Sequence, residues 1–168
     1  MTVSFTSVQD SFRTAVLSAG TNTNVIFFFP NGPQPQLPFT TIRTLSIGRE
    51  VNDWDVFDKA DNKNKIYGFR DVSFSINTYG QNALHEASIL QGNLKKQSIS
   101  EALRSTVSMC IRQLSGINDL TLLVDAEFQE RASFDVFLNV NIEDGTTEED
   151  LGYFNAVDPV IWTNKPTT

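Results

Sequence analysis

The chain has 168 residues, 40% of them hydrophobic and 11% aromatic, enough for one good core and too few to suggest two domains. Its net charge of −7 is uneven: from Glu143 onward six acidic residues face only Lys165, so the last 26 residues hold −5 and the first 142 only −2. A nearly neutral body without clustered Lys and Arg argues against a protein that grips nucleic acid by neutralising phosphates.

A single cysteine, Cys110, and a single histidine, His85, exclude an internal disulfide and the common zinc patterns. No window approaches about eighteen consecutive apolar residues. The N-terminal "MTVSFTSVQD" lacks a basic n-region and an apolar h-region, so a soluble product made in a cytoplasm, with no membrane partner, is expected.

In chain order, Val8, Phe12, Ala15, Val16 and Ala19 share one helical face, and "TSVQ" (Thr6 to Gln9) has capping-box spacing, which predicts a helix over about 6–19 closed by Gly20. "NVIFFF" reads as a short, heavily buried strand ended by Pro30. "NGPQPQLP" could be a polyproline ligand, a linker or a stiff lead-in. The apolar runs on both sides favour a lead-in that delivers Phe39 into a strand of roughly nine residues. Arg49 to Lys65, polar and asparagine-rich, reads as a long hairpin loop or arm.

"RDVSFSINTYG" alternates, with Val72, Phe74, Ile76 and Thr78 on one face, and predicts an antiparallel strand with one wet side. After Gly80 the period becomes helical: Ala83, Ala87, Leu90 and Leu94 form a stripe, with Lys95 and Lys96 at the negative end of the helix dipole. "SISE" (Ser98 to Glu101) matches a second capping box, opening a helix through about Ser105. "VSMCIRQL" fits a strand or a helical continuation. "ERASFDVFLNVNI" is the cleanest strand, with Ala132, Phe134, Val136, Leu138, Val140 and Ile142 inward. The remainder reads as an acidic arm whose Leu151, Tyr153, Phe154, Val160, Ile161 and Trp162 are too apolar to float free.

The order of elements predicts an α+β layer fold: a mostly antiparallel β-sheet with two or three helices packed on one side, plus a long loop and a C-terminal arm. Residues 1–142 form one domain on this reading and 143–168 an extension. No catalytic residue emerges. His85 reads as a surface or boundary histidine, Cys110 as buried packing between Met109 and Ile111, and the acidic runs lack the register of a calcium loop, so no metal or cofactor is expected. Tyr79 and Phe137 among Ser and Asn on the wet strand faces suit either a subunit interface or a face covered by the chain's own arm.

Three stretches, "PQLPFTTIRTLSI", "RDVSFSINTYGQNALHEASILQGNL" and "INDLTLLVDAEFQERASFDVFLNVN", resemble in order and spacing the neck and tail-terminator proteins of tailed bacteriophages. The resemblance covers about residues 35–142. Pro38, Phe39 and Arg43 match a proline-led strand, Tyr79 and Gly80 a strand-to-helix junction, Asp119 and Leu120 a D-L segment, and Glu130, Arg131, Ala132 and Asp135 a late strand.

What the resemblance implies is a structural virion protein, not an enzyme, that assembles as a homohexameric ring at the head–tail junction. There it caps the tail tube, ends growth and meets the neck or connector protein, and in contractile tails the sheath. DNA would pass through the channel without specific binding. A head-completion or tube subunit of the same virion is the nearest alternative, and a small ligand-binding domain or enzyme a different class. Tyr153, Phe154, Ile161 and Trp162 are the arm residues expected to dock on a neighbour, and "NDWDVFDKAD" is a candidate for an acidic or neutral lumen-facing loop.

Overall fold

The computed structural model describes residues 4–28, 35–49, 54–58, 63–124 and 127–148. The fold is α+β. Helix α1 (Phe5–Ala19) and the short strand β1 (Val25–Phe27) lead into β2 (Phe39–Arg49), β3 (Trp54–Asp58) and β4 (Lys63–Tyr79). Helices α2 (Ala83–Leu94) and α3 (Gln97–Val107) follow, then β5 (Met109–Leu114), β6 (Asn118–Asp119), β7 (Leu122–Val124), β8 (Glu127–Gln129) and β9 (Arg131–Glu148).

The main sheet runs β1-β2-β4-β9-β5, with β3 paired to β4 and β6 to β9; β7 and β8 pair with each other in a separate two-stranded sheet among the described residues. All its described pairings are antiparallel except β1 with β2. One face of β4 and β9 carries Val72, Phe74, Ile76, Thr78 and Ala132, Phe134, Val136, Leu138, Val140, Ile142, all buried, as the alternation demands. The stripes Val8–Phe12–Ala15–Val16–Ala19 of α1 and Ala83–Ala87–Leu90–Leu94 of α2 belong to the same core. Phe12 stacks on Phe74 with ring centroids 4.5 Å apart.

Polar side chains stitch the helices in place. Arg13 Nε donates to the Val25 carbonyl at 2.9 Å, and Asn93 Nδ2 to the Ala19 carbonyl at 2.7 Å, giving the end of α1 a partner from α2. Gly20 closes α1 by donating its N–H to the Val16 carbonyl at 2.9 Å.

Several expectations are corrected. The cap of α1 is Ser4, whose hydroxyl accepts from the Ser7 N–H, so "TSVQ" lies inside the helix. Helix α3 starts at Gln97 behind Lys96, with no side-chain cap, and Ser98 is already helical. The polar stretch 49–65 is not simply a loop: Trp54–Asp58 and the start of β4 pair from Trp54 with Tyr67 to Asp58 with Lys63, because backbone pairing needs no apolar alternation. Strand β9 likewise runs past Ile142 to Glu148, pairing with β4 as far as Asn64.

Cys110 is exposed, since Met109 and Ile111 take the core face of β5 and turn the thiol to the other side. "VSMCIRQL" resolves as a strand from Met109 onward, after a helix ending at Val107. His85 is exposed, as expected.

A strand of 17 residues such as β4 spans about 55 Å, whereas the 15 residues of α1 span only about 22 Å. The helices therefore cover part of the sheet, and β3, the first half of β4 and the end of β9 continue beyond them. An extra residue, Leu45, interrupts β2 opposite Phe74 and Ser73, and after it Ile47, paired with Val72, falls on the helix side yet stays exposed.

Phe74→Ala should destabilise the protein by about 3–5 kcal/mol in chemical denaturation, the range for emptying a buried aromatic site. A loss below about 1 kcal/mol would contradict the packing of α1 on the sheet.

Candidate assembly surface

All but Arg43 and Asp135 of the residues matched by sequence to a terminator motif come together at one end of the sheet. Strand β4 ends at Tyr79, paired on one side with Phe39 and on the other with Arg131. The rings of Phe39 and Tyr79 stack with centroids 4.5 Å apart, and the Arg131 guanidinium lies 5.2 Å from the Tyr79 centroid, a cation–π contact. Arg131 also donates to Asn77 Oδ1 at 2.9 Å. The order Phe39–Tyr79–Arg131 thus ties three strands with side chains on one row.

Gly80 turns the chain from strand to helix with φ +121°, in the region that favours glycine. A Cβ there would stand 2.9 Å from Pro38 Cβ and 3.1 Å from Pro38 Cα, so Pro38 and Gly80 require each other's shape. Glu130 completes the junction. Its carbonyl accepts from the Gly80 N–H at 3.2 Å, and its carboxylate from the Asn82 N–H at 2.6 Å, at the positive end of the α2 dipole. Asn82, at φ 61°, tolerates the left-handed region better than most residues.

Asp119 and Leu120 join from the neighbouring edge. Asp119 pairs with Ala132, and the Leu120 N–H donates to the Arg131 carbonyl at 2.7 Å. The Asp119 carboxylate accepts from Thr121 Oγ1 at 2.6 Å and from the Thr121 N–H at 3.0 Å, a local turn that starts the β7–β8 hairpin. The Thr121 hydroxyl, then its backbone N–H, hold the Asp119 carboxyl below the ordinary aspartate range.

Arg43 and Asp135 are not part of this cluster. They flank Ser75 on a row in the middle of the sheet, and Arg43 places its guanidinium 5.3 Å from the Phe28 ring centroid. Tyr153, Phe154, Ile161 and Trp162 lie outside the described residues.

The sheet face turned away from the helices carries Phe69, Asp71, Ser73, Ser75, Asn77 and Tyr79 of β4 beside Phe137 and Asn141 of β9. Arg112 makes an ion pair with Asp71 at 3.4 Å. Asp71 Oδ1, Asn141 Oδ1 and Arg131 Nε are shielded from solvent without a hydrogen-bond partner among the described residues, a state that native proteins seldom leave uncompensated.

Sequence reasoning missed the hairpin. Leu122, Leu123 and Phe128 are 58%, 62% and 77% exposed, although "LTLLV" has the apolar density of a buried strand. Among the described residues no group of three or more His, Cys, Asp or Glu could share a metal ion, and no helix is long and apolar enough to cross a membrane.

Fold and surface together define an α+β protein whose organised residues lock strands to helices and whose surface exposes an apolar hairpin. A family model described as phage neck terminator protein matches residues 6–164, and the chain belongs to that family. Its members are structural components of virions. The match extends on both sides of the 35–142 region that carries the sequence resemblance.

Among solved structures, the fold is similar to a sheath/tube terminator of an extracellular contractile injection system in its extended state, at TM-score 0.53 and 10% identity over 89% of this chain. The chain spans 60% of that protein's length. A chain from the virion of a native gene transfer agent particle matches at TM-score 0.37 and 14% identity, over 82% of this chain and 92% of that one. A comparison with curated proteins finds no match.

Gly80→Ala should destabilise by about 1–3 kcal/mol in equilibrium unfolding, from the positive φ and the approach to Pro38; an unchanged midpoint would mean that Pro38 yields freely. In an NMR titration Asp119 should protonate below the ordinary aspartate range, and Thr121→Val should raise that midpoint. Because the folded pKa is depressed, the turn's contribution is present above the unfolded value and is lost as pH falls through the folded one.

Proposed function

We propose that this protein forms a ring at the head–tail junction that caps the tail tube, stops its growth and joins it to the neck or connector. The observation that carries this reading is the family match over residues 6–164. Termination requires a ring complementary to the tube on one side and unable to accept another tube ring on the other, which shape and surface chemistry supply without catalysis. An exposed apolar hairpin and shielded polar atoms lacking partners support assembly as the work of this surface.

The ring is proposed as a homohexamer made in the host cytoplasm and resident in the virion at the top of the tail. Contact with sheath is proposed by analogy with the sheath/tube terminator whose fold is similar. The chain's acidity suits a channel through which DNA slides, since a basic lumen would hold phosphates. The β3 region, within "NDWDVFDKAD", is the candidate lumen or neighbour contact. The arm from 149 onward, with Tyr153, Phe154, Ile161 and Trp162, is proposed to dock on an adjacent subunit or virion protein.

Electron microscopy of lysates from a phage carrying a nonsense mutation in this gene tests the role. Headless tails of irregular or excessive length beside filled heads are expected; tails of normal length would move the protein to the connector side, and intact infectious particles would overturn the reading. Deleting 149–168, which leaves β9 whole, should impair ring or neck assembly, and unchanged assembly would remove the docking role of the arm. His85→Ala, at an exposed position, should leave tail length unchanged.

A further inference from the structure

We infer that the β7–β8 hairpin of one copy inserts Phe128 into a groove between α1 and α3 of the next copy. This rests on the proposed ring and adds the contact that would build it. Leu123 and Phe128 are cross-strand partners in the hairpin, so their side chains share one face and form an apolar knob. At 62% and 77% exposed, they bury little surface within their own chain.

The groove has the complementary form. Ser11, Thr14, Ala15 and Ser18 recur at helical spacing along the flank of α1 that meets α3, where Ala102 and Thr106 are also small. Ile99 and Leu103 supply an apolar floor. The recess is about 140 Å³ and mostly apolar in its exposed lining. A void of about 150 Å³ accommodates one benzene ring, so the space suits one phenyl group.

The groove itself does not oppose an apolar side chain electrostatically. The groove lining contains no charged residue, so a phenyl ring entering it strands no ion. Knob and groove are different surfaces of the same chain, so the contact is head-to-tail, the kind that closes into rings when the rotation allows. The hairpin is tied to the motif cluster through Asp119, Thr121 and Leu120, which gives that cluster a role in aiming the knob.

The test uses purified full-length protein in a Cys110→Ser background. One preparation carries Leu123→Cys, the cross-strand neighbour of Phe128, so that the Phe128 ring stays in place, and the other, differently tagged, Ala102→Cys; they are mixed and mildly oxidised. A disulfide between the two tags is expected, because insertion brings these positions within bonding distance. Phe128→Asp should weaken self-association in sedimentation about 10- to 100-fold, the equivalent of burying one large apolar side chain, without lowering the thermal midpoint. No cross-link at the solubility limit, or preferential cross-linking to a cysteine placed at Ile47, overturns the inference. Tails of normal length in the nonsense mutant would defeat the terminator role whatever the cross-link shows, so the two failures are separable.

Discussion

The pairing of β4 with β9 is the constraint on which the rest of the molecule depends. It runs from Tyr79 with Arg131 to Asn64 with Glu148, so two strands far apart in sequence are matched over most of their length. Because side chains alternate, this one register decides which residues of both strands face the helices. A slip of β9 by one residue would put Phe134 and Val136 on the outer face while Phe74 and Ile76 stayed inward, and the same slip in β4 would strand Phe12 without its stacking partner. Helices α2 and α3 connect β4 to β5 across the covered face, so their placement follows from the same ladder.

The ladder's end is also where the motif residues gather. Gly80 and Glu130 adjoin the last pair, Tyr79 with Arg131, and Pro38 precedes the partner of Tyr79 on β2. The structure gives these residues positional roles: a stack, a turn without room for a side chain, a carboxylate at a helix start and an Asx-type turn that aims a hairpin. A rigid junction of this kind suits a protein that must present surfaces in fixed relation to one another.

The division between covered and uncovered sheet has a simple origin. Strands rise more than twice as far per residue as helices, so strands of 17 and 18 residues outrun helices of 11 to 15. The surplus carries β3 and leaves Ile47, on the helix side of β2, at the surface near the limit of the helical cover. Apolar groups are exposed at that end and on the β7–β8 hairpin at the other, so the two ends of the sheet differ.

Much of this was legible in the sequence because burial on one side leaves a period. The stripes of α1 and α2 and the inward sets of β4 and β9 are all buried and make up most of the observed core, which Val25, Ile42, Leu103, Val107 and Met109 complete. The proline-led entry to β2 and the Tyr-Gly junction were legible too, since rings and glycines constrain the backbone locally. Where neither period nor local constraint operates, the reading failed: β3 and the end of β9 carry no apolar alternation that marks them as paired strands, Cys110 was placed on the wrong face, and the β7–β8 hairpin was missed. The sequence by itself determined the core faces and the local turns, which depend on neighbours one to four residues away. Only the tertiary structure decided that Pro38, Tyr79, Asp119 and Arg131 meet, that the hairpin stands in solvent and that a groove opens between α1 and α3. Those facts depend on how far each helix reaches along the sheet, and no local pattern encodes that distance.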